Sequence, residues 1–175
     1  IMLGFQFELT DRIQKIRQIN ADFDLENNAY VSYSGGKDST VLSKLIDIAL
    51  PGNKIPRVFI NTGIEFNELI HYVREMAKED SRIIEIKSGV NIKAMLEEKG
   101  YPFKSKEHSH KLELLQKGSK AKSIISYFTV DPVKRTNHNC PHILAYQAKG
   151  FDKFKVSDQC CTILKKRPAE LWSKE

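Results

Sequence analysis

The stretch Tyr30-Val31-Ser32-Tyr33-Ser34-Gly35-Gly36-Lys37-Asp38-Ser39-Thr40 gathers residue types suited to holding a phosphate. Adjacent glycines let a backbone approach an anion closely. A helix opening just after them adds unpaired N–H groups and about half a positive charge. Lys37 supplies a point charge, and Ser34, Ser39 and Thr40 supply hydroxyls. Asp38 can cap the helix or hold a hydrated Mg²⁺. The neighbouring sequence provides that frame. Tyr30, Val31 and Tyr33 are β-formers, and an apolar helical pattern begins at Val41.

Two common phosphate loops do not fit. A Walker A loop needs Ser or Thr after Gly-Lys and an upstream glycine, whereas Asp38 follows Lys37 and Val31 holds the upstream position. A dinucleotide fingerprint needs three spaced glycines, and only the adjacent pair is present. Ser34-Gly35-Gly36-Lys37-Asp38-Ser39 resembles the PP-loop signature of the ATP pyrophosphatases and of the phosphoadenylylsulfate (PAPS) reductase family. These lie within the adenine nucleotide alpha hydrolase superfamily. Val58 to Phe66 resembles the same family's second motif, a hydrophobic strand leading to a Thr-Gly turn and an acidic-aromatic pair. The resemblance implies nucleotide contacts from Tyr33, Ser34, Gly35, Gly36, Lys37, Asp38, Ser39 and Thr40, and from Asn61, Thr62, Gly63, Glu65 and Phe66. It places adenine between Tyr33 and the second turn.

Two later segments extend the resemblance. Gly100-Tyr101-Pro102-Phe103-Lys104-Ser105-Lys106 is similar to a family Gly-Tyr-Pro segment followed by Ser-Lys. Ser157-Asp158-Gln159-Cys160-Cys161 with Lys165-Lys166 resembles the Cys-Cys…Lys-Lys segment of PAPS-reductase-like proteins. Lys104, Lys106, Lys165 and Lys166 are the expected phosphate or sulfate contacts. Lys37, Asp38, Cys160 and Cys161 are the candidate catalytic residues. In the adenylylsulfate reductases a tandem cysteine pair supplies two of four ligands to a [4Fe–4S] cluster. This chain has three cysteines in all, so such a cluster requires ligands from outside it. Asn137-His138-Asn139-Cys140-Pro141-His142 has metal-like spacing but reads as a surface loop entering a proline-started helix.

The elements that position these residues alternate. Leu9 to Phe23 reads as an amphipathic helix capped at Thr10 or Asp11. After the glycine loop, Val41, Leu42, Leu45, Ile46, Ile48 and Ala49 form a wide apolar helix stopped by Pro51-Gly52. Arg57 to Asn61 is a strand, followed by a helix carrying Phe66, Leu69, Ile70, Val73, Met76 and Ala77. Arg82 to Lys87 is a third strand, and Asn91 caps a helix ended by Gly100. The expected fold is α/β: a Rossmann-like open, mostly parallel sheet with helices on both faces. In such sheets ligands sit at the carboxyl ends of the strands, where the strand order reverses. Beyond Gly100 a short helix runs through Leu112 to Leu115, Ile124 to Phe128 is strand or helix, and Pro141 starts a helix to Ala148. Lys153 to Ser157 reads as a short strand, Asp158 as a helix cap, and Pro168 as an interruption. His71, His108 and His110 lack partners at catalytic spacing and read as surface or packing residues.

The length suits one PP-loop domain over residues 1–175, and Lys174-Glu175 ends in what reads as mid-helix. The expectation is a domain C-terminally incomplete relative to the family. A net charge of +6 suits a polyanionic ligand, a nucleotide or nucleic acid, though no nucleic-acid motif appears. The absence of a membrane-length apolar run or signal-peptide pattern makes the cytoplasm the expected site. The resemblance implies an enzyme using ATP or adenosine phosphosulfate in sulfonucleotide reduction or sulfur transfer, with a thiol reductant or sulfur-donor protein as partner. The alternatives are a Mg-ATP pyrophosphatase that adenylates a substrate for a sulfur or amine nucleophile, and a non-catalytic nucleotide-sensing or nucleic-acid-binding subunit.

Overall fold

A computed structural model describes residues 4–174. They form two compact units: the residues up to Gly89 with those from Pro168 onward, and Val90–Arg167.

The first unit contains α1 (Gly4–Phe23), α2 (Leu25–Asn28), β1 (Val31–Ser32), α3 (Lys37–Ala49), β2 (Arg57–Asn61), α4 (Asn67–Glu79) and β3 (Ile83–Lys87). The strands pair in parallel in the order β1-β2-β3, with Val31 opposite Arg57 and Arg57 opposite Ile83. Val58 and Phe59 are neighbours on β2, so their side chains point to opposite faces, yet both are buried. Both faces of the sheet are therefore covered, as a parallel sheet requires. Tyr33, Phe59, Val73 and Ile83 form one core cluster with Leu69 and Met76 of α4. Val31, Ile46 and Ile55 form another with Ile16 of α1. This is the expected Rossmann-like α/β arrangement. No reversal of strand order occurs among the described strands.

Two details of the helices differ from expectation. α1 begins at Gly4 rather than Leu9, since nothing between Phe5 and Thr10 breaks a helix. Thr10 is not its cap; the Thr10 hydroxyl donates to the Gln6 carbonyl at 2.8 Å, inside the helix. α3 buries Ser43, Ile46 and Ala49, while Val41, Leu42 and Ile48 face solvent. The polar positions turn inward because Arg57, wholly buried at the start of β2, donates to Ser43 Oγ at 3.1 Å, Asn53 Oδ1 at 3.0 Å and Asp47 Oδ1 at 2.9 Å. Arg82 also donates to Asp47 Oδ1, at 2.7 Å. This network ties α3 to β2 and to the residue that enters β3.

The second unit is mainly helical: α5 (Ile92–Lys99), α6 (Lys106–Gln116) and α7 (Lys122–Tyr127), then a 3₁₀ helix, His142–Lys149. Asn91 caps α5 as expected, its Oδ1 accepting from Ala94 N–H at 3.0 Å. Pro141 precedes a 3₁₀ helix rather than an α-helix. Lys153 to Ser157 is not a strand of the main sheet; it makes one parallel bridge, Tyr101 with Val156. Cys160 and Cys161 open a helical segment that passes through a π-helical turn, Thr162–Lys166, into α8 (Arg167–Trp172). Pro168 does not stop this segment: the wider π turn just before it relieves the proline's missing N–H. No described helix is long and apolar enough to cross a membrane.

The core of this unit is Leu112, Ile124, Tyr127, Phe128, Cys140, Ala145, Phe151 and Val156. His108 is wholly buried beside it. Its Nε2 lies 2.8 Å from Gln147 Oε1 and its Nδ1 3.2 Å from the Tyr127 hydroxyl. A neutral ring with the proton on Nε2 satisfies both contacts, and burial lowers its pKa below the ordinary 6.5. Protonation would turn Nδ1 into a donor and force the Tyr127 hydroxyl to reverse. A lowered histidine pKa means the unfolded chain takes up the proton first, so stability is lost as pH falls below about 6.5. The loss reaches at most about 1.4 kcal/mol per pH unit. Chemical denaturation of wild type and His108→Gln between pH 7 and 5.5 checks this. The variant should show the shallower dependence, and equal slopes would refute it. Carboxylate contributions enter at lower pH, because Asp47, Asp80, Glu85 and Glu113 are all held below their ordinary values.

Candidate functional site

In the first unit the glycine loop joins β1 to α3. Gly35 has φ +74°, and a Cβ there would lie 2.8 Å from Val73 Cγ2 and 2.9 Å from Leu69 Cδ1. Glycine is needed both for the left-handed backbone and for the close passage over α4. Gly36 is the N-cap residue of α3, in extended conformation, and no side chain caps that helix end. The first N–H groups of α3 therefore lack partners within the helix. Gly36 N–H donates to Ser34 Oγ at 3.3 Å. Ser34 and Ser39 hydroxyls lie 3.1 Å apart, and Ser39 and Thr40 hydroxyls donate to the Gly36 carbonyl at 2.9 and 3.0 Å. The hydroxyls thus brace the loop in this state, while Lys37 and Asp38 stand exposed at its mouth. Tyr33 is the floor: its ring is buried with Phe59 and Val73, and its hydroxyl lies 3.5 Å from Thr40 Oγ1. Burial raises its pKa.

The turn after β2 lies at the same end of the sheet, because β1 and β2 are adjacent and parallel. Thr62 is buried, and its N–H and hydroxyl donate to the Glu65 carboxylate at 2.9 and 2.8 Å. Gly63 N–H donates to Asn61 Oδ1 at 3.0 Å, and Asn61 Nδ2 donates to Glu85 at 2.7 Å. Asn61, Thr62 and Glu65 therefore fix the turn, and Phe66 projects from it, 82% exposed. The sheet end combines an uncapped helix N-terminus, a lysine, an acid and an exposed aromatic ring, the components an anionic nucleotide needs.

In the second unit the structure brings together two segments far apart in sequence. A cavity of about 270 Å³ is lined by Pro102 to Lys106, Ser109, Asp158, Cys160 and Cys161. Ser105 caps α6, its Oγ accepting from His108 N–H at 3.2 Å. Buried Ser109 accepts from Phe103 N–H at 2.8 Å and donates to the Phe103 carbonyl at 2.9 Å, pinning the loop. Lys104 takes a left-handed backbone, φ +61°, uncommon for a residue with a side chain. Lys165 and Lys166 lie on the π turn, exposed, and do not line this cavity.

The cysteine-bearing segment is held from α6. Asp158 does not cap its helix through its side chain as the sequence suggests. Its Oδ2 lies 3.2 Å from His110 Nδ1, and its N–H donates to Glu113 Oε2 at 3.2 Å. Burial pushes the Glu113 carboxyl up, but Lys117 and the Asp158 N–H outweigh it and hold it below its ordinary value. Glu113 escaped the sequence reading, and His110 reads there as a surface or packing residue, because both meet Asp158, 45 or more residues away in the chain. The one local signal was the spacing of His110, Glu113 and Lys117 along one helix face.

The donor set does not fit a complete iron–sulfur cluster. Cys140 is buried among Tyr127, Phe128 and Leu112, where burial raises its thiol pKa, and it does not line the cavity. Among the described residues no group of three or more Cys, His, Asp or Glu is arranged to hold a metal ion.

Comparison with known proteins agrees with this architecture. The chain is 29% identical over 176 residues to an uncharacterized protein of Methanocaldococcus jannaschii, an alignment covering 93% of this chain and 41% of that protein. The chain thus spans less than half the length of this curated relative. No solved structure matches the chain significantly. The family model of the phosphoadenosine phosphosulfate reductase domain matches residues 28–133, which hold the whole sheet, the glycine loop and the Gly-Tyr-Pro segment but not the cysteine pair. With more than half of the chain inside that match, the protein belongs to the phosphoadenosine phosphosulfate reductase domain family, within the PP-loop, adenine nucleotide alpha hydrolase superfamily.

Proposed function

We propose that the first unit binds an adenine nucleotide, ATP or an adenosine phosphosulfate, and that the chain acts in sulfonucleotide reduction or sulfur transfer. The observation that carries this reading is the loop from Ser34 to Thr40, where Gly35 passes too close to α4 for a side chain and leads into an uncapped helix N-terminus. In this reading the loop N–H groups and Lys37 hold phosphate oxygens, and the Asn61–Phe66 turn borders the nucleoside. A thiol reductant or sulfur-donor protein completes the reaction. A second reading rests on the exposed Lys37–Asp38 pair at the helix start. Asp38 would hold Mg²⁺ through the nucleotide's phosphates, ATP would be split between its α and β phosphates, and fixed donors on the pyrophosphate would stabilise its departure.

Titration calorimetry with Mg-ATP and with phosphoadenylylsulfate tests both readings. Lys37→Ala should weaken nucleotide binding about tenfold or more, since a charge-assisted phosphate contact contributes about 1.5–3 kcal/mol. Mg²⁺-dependent ATP binding favours the pyrophosphatase reading, and tighter phosphosulfate binding favours the reductase reading. Absence of binding by either nucleotide at millimolar concentration would remove the loop from consideration as a working site in this chain.

A further inference from the structure

We propose that the second unit binds single-stranded RNA along a groove walled by the end of α6 and the segment Tyr146–Lys155. The inference goes beyond nucleotide binding by the first unit and does not rest on it. Three observations within Val90–Arg167 carry it.

The first is the partition of charge. Val90–Arg167 holds sixteen Lys and Arg against seven Asp and Glu, while the rest of the chain holds twelve against fifteen. The whole basic surplus of the protein therefore lies in the second unit. A polyanion is the partner that such a surface suits.

The second is the place where this charge meets aromatic rings. A groove of about 440 Å³ is lined by Leu115, Gln116, Phe151, Asp152, Phe154 and Lys155. Basic and aromatic residues interleave through the segment that walls it, as Tyr146, Lys149, Phe151, Lys153, Phe154 and Lys155. Tyr146 and Lys149 stand three apart in a 3₁₀ helix, so they share one edge of it. Tyr101, Tyr146 and Phe154 remain 42%, 52% and 36% exposed. Their rings are braced by one another and by Phe151, with Phe154 lying 5.0 Å from Phe151 and 6.0 Å from Tyr101. Exposed, braced rings are platforms for unpaired bases, which a duplex keeps inside its own stack. Lys149 and Lys153 are exposed and have no ion-pair partner among the described residues. Lys155 uses one donor, on the Glu98 carbonyl at 2.7 Å.

The third is the way the groove is held and what its one acid can do. Gln116 Nε2 donates to the carbonyls of Phe151 and Phe154 at 2.9 and 2.8 Å, and its Oε1 accepts from Val156 N–H at 2.9 Å. The wall is therefore fixed without a ligand, which lowers the cost of ordering it on binding. Asp152 on the lining repels a phosphate, but its carboxylate can accept from a ribose 2′-hydroxyl, the group that RNA has and DNA lacks.

Fluorescence anisotropy of a labelled oligouridylate with the full chain tests the proposal. Uridine keeps any adenine site of the first unit out of the measurement. Oligodeoxyuridylate, duplex RNA and inorganic polyphosphate serve as comparisons. The expected result is binding whose logarithm falls against log salt with a slope of about −2, from three lysine contacts at about −0.7 each. Lys149→Ala/Lys153→Ala should weaken binding roughly tenfold and flatten the slope to about −0.7. Tyr146→Ala or Phe154→Leu should weaken it about fivefold or more at an unchanged slope, the mark of lost stacking. Asp152→Ala should reduce the preference for the ribose form. Lys44→Ala/Lys54→Ala removes the same charge from the first unit and should leave the affinity within about twofold. Polyphosphate binding as tightly per charge as the oligouridylate, with no loss in the aromatic variants, would overturn the proposal and leave only a surface for polyanions. Equal affinity for the deoxy strand or the duplex would overturn the assignment to single-stranded RNA. If the variants do not fold, the wild type decides: no binding of oligouridylate at low salt, or none tighter than that of polyphosphate, refutes the site.

Discussion

Asp47→Ala is expected to lower the unfolding free energy by about 3 kcal/mol, the size of effect seen when one partner of a buried ion pair is removed. Arg57 has no exposed surface, and its guanidinium cannot shed its charge in a protein. Asp47 Oδ1 accepts from Arg57 at 2.9 Å, Arg82 at 2.7 Å and Asn53 at 3.1 Å. Burial pushes the Asp47 carboxyl up, but the bonds from Arg82 and Asn53 outweigh it and hold the carboxyl below its ordinary value. Without the carboxylate, Arg57 keeps only neutral acceptors, Ser43, Asn53 and the Ile55 carbonyl, beside the like charge of Arg82. Asp80 still pairs Arg82 at 2.8 Å, so the loss concentrates on Arg57. The exposed pair Lys15–Asp11 is as short, 2.9 Å, yet Asp11→Ala should shift stability by less than about 1 kcal/mol. Urea denaturation separates the two: a lowered midpoint at unchanged slope for Asp47→Ala, and little change for Asp11→Ala. Adding Arg57→Met to Asp47→Ala should recover much of the loss, because the unpaired charge goes with it. A wild-type midpoint for Asp47→Ala would mean that Arg57 is adequately held by its neutral partners. The network matters for the site because it fixes the middle of α3 to the sheet, and the first turn of α3 is the proposed phosphate cradle.

The same network shows where the sequence was readable and where it was not. From Tyr30 to Lys87 each strand and helix is announced locally, by short β-branched runs, by apolar residues at helical spacing and by the stops at Pro51-Gly52 and Gly63. The parallel sheet and the glycine loop followed directly. The inner face of α3 did not. Val41, Leu42 and Ile48 fit a helical stripe and read as core, but burial went to Ser43 and Asp47's side of the helix, because an arginine elsewhere in the chain demands polar partners there. Spacing within one helix cannot report a requirement set by a strand. Beyond Gly100 the local signals fail for a related reason. The 3₁₀ helix, the π turn and the Tyr101–Val156 bridge are set by packing and by pairing across more than fifty residues. The cysteine pair and the Lys-Ser-Lys loop were each legible as motifs. Their meeting in one cavity was not, since neither segment carries a trace of the other.

That meeting depends on Gly100, and Gly100→Ala is expected to cost the second unit about 2–4 kcal/mol and to open the cavity. Gly100 has φ +111° and ψ 164°, a region reserved almost wholly for glycine. A Cβ there would lie 2.9 Å from the Lys155 carbonyl oxygen and 3.0 Å from the carbonyl carbons of Lys155 and Val156. All three atoms are backbone, so no rotamer change relieves the clash. The chain would have to separate where Tyr101 N–H donates to Lys155 at 2.9 Å and Ser157 N–H donates to Tyr101 at 3.0 Å. Those two bonds hold the segment that carries Asp158, Cys160 and Cys161 against the one that carries Lys104 and Lys106. Hydrogen exchange should show lost protection at the amides of Tyr101 and Ser157. Amides of β2, which belongs to the first unit, should keep theirs. Alkylation of half-buried Cys160 should quicken in parallel. Wild-type protection at Tyr101 and Ser157 would show that the backbone tolerates the methyl group. Nucleotide affinity, if it resides in the first unit, should change little, so this substitution separates the chemistry of the thiol cavity from that of the phosphate loop.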